Sequence, residues 1–168
     1  MNTIITVATH MPIYAWVILG YMALRCYKTT QDSEVSMLKA LIVPGVFTIL
    51  GLLSIFTEFK YLNVALASYV VFAVLGTFIG YQLYSRTAHF FYKDGKLMKQ
   101  GSFVPMFVMI INGVVKFAEK IMIGFHPVLL GQMHFNIFYG IVAGVTVGLF
   151  FGGLINTYLS TKITGKFA

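Results

Sequence analysis

Apolar residues in this chain come in long unbroken runs. They show neither the short alternation of a half-buried strand nor the one-sided stripe of a soluble helix. Five such runs stand out, at residues 3–26, 37–57, 62–85, 103–123 and 136–159. At a rise of about 1.5 Å per residue, each is long enough to cross about 30 Å of hydrocarbon. Lipid offers a backbone no hydrogen-bond partner, so each run is expected to be an α-helix. The first run has no basic region ahead of it and no small-x-small site after it, so it reads as a span and not as a cleaved leader. The pattern predicts an all-α membrane protein with five transmembrane helices in a single domain, residues 1–168.

One connection has strand character. Between the third and fourth runs, Thr87-Ala88-His89-Phe90-Phe91-Tyr92 leads into Lys93-Asp94-Gly95 and then Lys96-Leu97-Met98-Lys99. Asp-Gly between β-favouring residues predicts a short β-hairpin. With its aromatics and lysines this ribbon reads as a tight connector lying against anionic headgroups, or as a docking site for a cytoplasmic partner. His89 is an ordinary loop histidine there. The last connection, residues 124–134, is apolar for a loop and predicts a short helix begun near Pro127.

Composition sharpens this picture. Hydrophobic residues are 58% of the chain and charged residues 10%, with a mean hydropathy of +0.84. Soluble domains carry roughly 25% charged residues, so a water-soluble enzyme and a disordered chain are both excluded. Five spans leave only short loops, with no room for a separate catalytic domain.

The charges then orient the bundle. Arg25, Lys28, Lys39, Arg86, Lys93, Lys96, Lys99, Lys162 and Lys166 fall on one side, against Lys60 and Lys120 on the other, with Lys116 inside the fourth run. The positive-inside rule gives an outside amino terminus and an inside carboxyl terminus. The net charge of +7 is largely topological, since one or two lysines per short loop do not make a nucleic-acid surface. Cys26 is the sole cysteine, so neither a disulfide within the chain nor a Cys-x-x-Cys redox pair is possible.

The fifth run contains Gly140, Gly144, Gly148 and Gly152, and the third contains Gly76 and Gly80. Four-residue spacing places each set on one helix stripe, a glycine zipper that lets another helix approach backbone to backbone. The stripe serves packing of the third and fifth spans within the chain, or homo-oligomerisation through the fifth.

Ionisable residues within a span are costly and are functional candidates by default. The fourth run carries Asn112, Lys116, Glu119 and Lys120, with Lys116 and Glu119 at pairing distance along a helix. Lys116 and Glu119 lie about 20 and 24 Å from the cytoplasmic edge of their helix, and His10 about 22 Å from that of the first. Glu58 ends the second span, and His126 and His134 fall in the last connection. These residues share one depth band in the outer third of the bilayer. In one reading Lys116 snorkels outward along its stem and the pair is hydrated. In the other, His10, Glu58, Asn112, Lys116 and Glu119 form an outward-facing polar pocket that binds a polar or anionic solute or relays protons.

No cofactor is expected. Haem or copper is the alternative, with His10, His126 and His134 as ligands near Met11, Met122 and Met133. There is no Gly-rich phosphate loop and no His-Glu-x-x-His motif, which points away from an enzyme without excluding one. A transport or binding protein and an accessory subunit contacting a membrane-protein partner are the two readings left.

The chain resembles a family of small bacterial inner-membrane proteins that are distantly CcdC-like. The resemblance rests on His10, Pro12 and Trp16 near the start, on Gly101, Ser102 and Pro105 before the fourth span, and on Lys116 followed by Phe117. Pro127 and the run Tyr139, Gly140, Ala143, Gly144 and Gly148 complete it. It implies the five-span fold and adds interest to His10 and Lys116, but it brings no activity with it. The cytochrome c biogenesis role attached to the CcdC name does not transfer to a chain without cysteine pairs.

Overall fold

A computed structural model describes residues 30–93 and 96–164, with positions 20, 24 and 28 as isolated additions. Most of the first predicted span, His10 included, lies outside the described residues, as does the Asp94-Gly95 turn. In chain order the described elements are β1 (Ser33–Glu34), α1 (Met37–Glu58), α2 (Leu62–Thr87), β2 (Phe90–Lys93), β3 (Lys96–Lys99), α3 (Val104–Phe125), a 3-10 turn (Pro127–Gly131) and α4 (Met133–Thr164).

The protein is mostly helical, and α1, α2 and α4 are each long and apolar enough to cross a membrane. Helix α3 has the length of α1, yet it falls outside that group because Lys116, Glu119 and Lys120 crowd its second half. Among the described residues, three of the five expected spans meet that length and composition, and the first expected span lies outside them. Helices α2 and α4 also outrun the predicted 62–85 and 136–159. An apolar run ends where hydrophobicity ends, whereas the hydrogen-bond ladder continues through Arg86 and Lys162 at the polar level.

Among the described elements the most extensive contact joins α2 to α4. A Cβ added at Gly140 would lie 2.5 Å from the Ala65 carbonyl oxygen, one at Gly76 would lie 2.6 Å from that of Val145, and one at Gly80 would lie 2.5 Å from that of Leu149. The same addition at Gly144, Gly148 or Gly152 would collide with the backbone of Tyr69, Ala73 and Tyr81 respectively. Partner numbers rise with the glycine numbers, so the two helices run parallel. Two backbone faces are pressed together from Gly140 to Gly152 of α4, a little over three helical turns.

Aromatic contacts fix α1 on another side of α4. Phe47 stacks on Phe150 at 5.1 Å, and at the opposite end Phe59 packs on Tyr139 at 4.6 Å and Phe135 at 6.2 Å. That order makes α1 antiparallel to α4. At the Phe59 end, the Leu130 carbonyl accepts from the Lys60 backbone N–H at 3.3 Å and from Asn136 Nδ2 at 3.1 Å. The α1–α2 turn and the 3-10 turn that starts at Pro127 are thus tied together. The shared core of these contacts includes Ile55, Ala65, Tyr69, Ala143 and Val147.

The other end is capped by a three-stranded antiparallel sheet in the order β1-β3-β2. The hairpin pairs Phe90 with Lys99 and Lys93 with Lys96. Strand β1 adds Ser33 opposite Lys99 and Glu34 opposite Met98. This third strand went unread in the sequence because two residues carry no alternation. It is anchored by the Gly101 N–H donating to Asp32 Oδ1 at 2.8 Å, and Gly101 lies hard against the Thr30 carbonyl, where a side chain would not fit. The sheet docks through Lys99, whose Nζ lies 5.5 Å from the centre of the Tyr84 ring and 5.8 Å from that of Phe90. Burial there pulls the Lys99 ammonium below its ordinary pKa, because the charged form is the one that loses hydration. Tyr84 in turn fills the space over Gly153.

The glycine contact has a direct test in detergent-solubilised protein. Gly148→Ala and Gly144→Ala should each cost about 1–3 kcal/mol by overpacking. Gly113→Ala, where a Cβ meets nothing within 4 Å, should be neutral or gain up to about 1 kcal/mol of helix propensity. Thermal melts read the difference, and equal responses at Gly113 and Gly148 would refute close packing.

Candidate functional site

Helix α3 reaches α4 through a polar seam. Asn112, Lys116 and Glu119 follow one another at four- and three-residue intervals, so they share one helix face. That face points inward: Val108, Asn112 and Glu119 are buried, while Phe107, Ile110, Ile111 and Val114 are exposed. Helix α3 is therefore turned with Asn112 and Glu119 toward the protein and Phe107, Ile110, Ile111 and Val114 away from it.

The seam has two levels. At the lower one, Thr146 Oγ1 donates to Asn112 Oδ1, sharing its proton with the Val142 carbonyl of its own helix, and Asn112 Nδ2 donates to the Val108 carbonyl at 2.8 Å. At the upper one, Lys116 Nζ donates to Glu119 Oε2 at 2.9 Å and sits 3.9 Å above the centre of the Tyr139 ring. Pairing Asn112 with Thr146 and Lys116 with Tyr139 makes α3 antiparallel to α4.

Burial is unequal across the ion pair. The Glu119 side chain is 3% exposed and that of Lys116 is 28%. The carboxylate is thus the enclosed partner, and the ammonium is the one that meets the surroundings. In low dielectric such a pair is held together far more strongly than at a wet surface, and the cation–π contact adds about 0.5–2 kcal/mol. An ammonium has three donors. One is used on Glu119 and the Tyr139 ring lies beneath, so the exposed side of Lys116 can donate to a further polar or anionic group.

The candidate residues divide accordingly. Asn112, Lys116 and Glu119 come together on α3. Glu58 ends α1 next to Phe59, whose ring packs on the same Tyr139 that carries Lys116, so Glu58 stands at the level of the upper pair. His10 lies outside the described residues. His126 and His134 are exposed, one at the start of the 3-10 turn and the other at the start of α4. Among the described residues no three His, Cys, Asp or Glu side chains form a group that could hold a metal ion.

Residues Thr146 and Asn136 were not singled out from the sequence, and Tyr139 entered only through a resemblance. The signal was present: Asn136, Tyr139 and Thr146 are spaced by three and seven, which puts them on one face of α4. All three are buried.

Comparison of the chain with protein-family models, with curated proteins and with solved structures finds no match. The site is accordingly read from its own chemistry.

The ion pair is tested by single and double substitution. Lys116→Met removes the ammonium that donates to Glu119 Oε2 from beside an enclosed carboxylate and should cost about 3 kcal/mol or more, whereas a hydrated surface pair would cost about 1 kcal/mol or less. Adding Glu119→Gln should restore much of the loss. An unchanged melting temperature for Lys116→Met would mean that water, not the protein, solvates the pair.

Proposed function

We propose that this is a five-span protein of the bacterial inner membrane, with its amino terminus outside and its carboxyl terminus inside, that binds or transports a small polar or anionic solute at the α3–α4 seam. The distribution of lysine and arginine supports the orientation. The alternating directions of α1 to α4 support the reading of α3 as a further span, its charges shielded by α4 and its apolar side facing lipid.

One observation carries the function: Glu119 is enclosed while its partner Lys116 is partly exposed over the Tyr139 ring. A pair serving only as glue has no need of an accessible cation. An accessible ammonium with a spare donor and a buried counter-charge is a means of taking up an anion, since incoming negative charge competes with Glu119 for Lys116. Asn112 and Thr146 continue the polar path one helical turn deeper.

A second reading is an accessory subunit in which the seam only fastens α3. It is favoured by the polar contacts of Asn112 with Thr146 and of Lys116 with Tyr139, which hold α3 to α4.

The two readings separate in a thermal-shift panel of small carboxylates, phosphates and neutral polar solutes on purified protein. For a binding site, at least one anionic solute raises the melting temperature of the wild type and leaves the Lys116→Met, Glu119→Gln double variant unmoved. Equal responses of both proteins across the panel contradict binding at the seam. For topology, single cysteines placed at Lys60 and His126 in a Cys26→Ser background should react with impermeant reagent from outside, and those at Lys93 and Lys162 only after permeabilisation. Labelling of His126 and Lys93 from the same side would contradict the orientation.

A further inference from the structure

The parallel contact of α2 and α4 leaves an open groove on one flank, near the sheet end of the bundle. Its volume is about 450 Å³, and Val74, Thr77, Phe78 and Tyr81 of α2 line it with Ile155 and Leu159 of α4. The lining is apolar throughout. Thr77 turns its hydroxyl back to the Ala73 carbonyl at 2.7 Å, which leaves its methyl group to the groove. Val74, Phe78, Tyr81, Ile155 and Leu159 are all exposed, so the groove lies on the outer surface of the bundle.

Polar groups wait at one end of this groove. Lys162 follows Leu159 by three residues and Ile155 by seven, and Ser85 follows Tyr81 by four, so both continue the lining stripes by one helical turn. Lys162, Ser85 and the adjacent Arg86 are exposed. From Val74 to Ser85 the helix rises about 16 Å, close to the hydrocarbon depth of one leaflet, which is about 15 Å. An apolar slot of leaflet depth, ending in a cation on one wall and in a hydroxyl on the other, has the pattern of a phospholipid: acyl chain above, phosphate below.

We propose that this groove binds one anionic glycerophospholipid, with an acyl chain along Val74, Phe78 and Ile155 and the phosphate held by Lys162 and Ser85. Charge complementarity selects the occupant, because a zwitterionic lipid fills the slot equally well but gains less from the Lys162 cation. A lipid seated there covers the open flank of the α2–α4 contact.

The test is a titration of purified full-length protein in neutral detergent, read by native mass spectrometry, with phosphatidylglycerol and phosphatidylcholine of identical acyl chains. Phosphatidylglycerol should bind more tightly. Lys162→Gln should weaken phosphatidylglycerol about fivefold, the worth of one lysine near an anionic lipid surface, and weaken phosphatidylcholine by less, because its choline ammonium already offsets the phosphate charge. Ile155→Trp, which fills the slot at an exposed position, should weaken both lipids. Lys93→Gln, the same charge change on the sheet away from the groove, should leave phosphatidylglycerol binding as it was. Equal affinity for the two lipids, binding of neither, a Lys93→Gln loss as large as that of Lys162→Gln, or a lipid-free dimer would each overturn the proposal. Loss at Lys162 would leave the Lys116 seam unaffected, so the two sites stand or fall separately.

Discussion

The parallel, backbone-to-backbone contact of α2 with α4 is the constraint around which the other described elements are arranged. Within a bilayer there is no hydrophobic force between helices, since lipid tails are as apolar as the side chains they would replace. Association depends on how closely two surfaces can pack, and Gly76, Gly80, Gly140, Gly144, Gly148 and Gly152 remove what would hold these backbones apart. Because the two helices point the same way, the chain must return between them. The hairpin β2–β3 and helix α3 make that return, and α3 comes to lie antiparallel beside α4. The glycine stripe is occupied within the chain, so an oligomer built on the same stripe would have to displace α2.

Helix α4 is the hub. One face gives its glycines to α2, another gives Phe135 and Phe150 to α1, and a third gives Tyr139 and Thr146 to α3. These contacts differ in kind. The α2 face is held by close van der Waals approach and the α1 face by ring packing. The α3 face is held by buried polar groups. Burying such a group without a partner is costly, and Asn112 and Lys116 find partners in Thr146 and Tyr139 of α4. The same economy makes the seam chemically distinctive: a carboxylate enclosed on one side and an ammonium accessible on the other.

Much of the fold was legible in the sequence because its strongest signals are one-dimensional. Apolar run length gave α1, α2 and α4. Asp-Gly between β-favouring residues gave the β2–β3 hairpin, and Pro127 gave the short helical turn. Strand β1 was not legible, since Ser33 and Glu34 pair with β3 through the placement of Asp32 and Gly101, a contact across 69 positions of chain. Lys116 and Glu119 were readable as a pair from their spacing alone. Their ring partner Tyr139 was not, because a cation–π contact between two helices depends on how α3 is rotated against α4. Sequence spacing fixes faces on one helix, and only packing decides which faces meet.

Solid-state NMR of glycine-labelled protein in lipid bilayers reaches the α2–α4 contact most directly. A Cβ on Gly76 would lie 3.2 Å from the Gly148 Cα, so the two α-carbons are close enough for a strong through-space cross-peak. The expected result is a Gly76–Gly148 cross-peak that keeps its relative intensity when labelled protein is diluted into an excess of unlabelled protein, as an intramolecular contact must. A cross-peak that fades in proportion to dilution would place the contact between chains, and absence of the cross-peak would remove the contact itself. Either result would contradict an architecture built on α2 pressed against α4 within one chain.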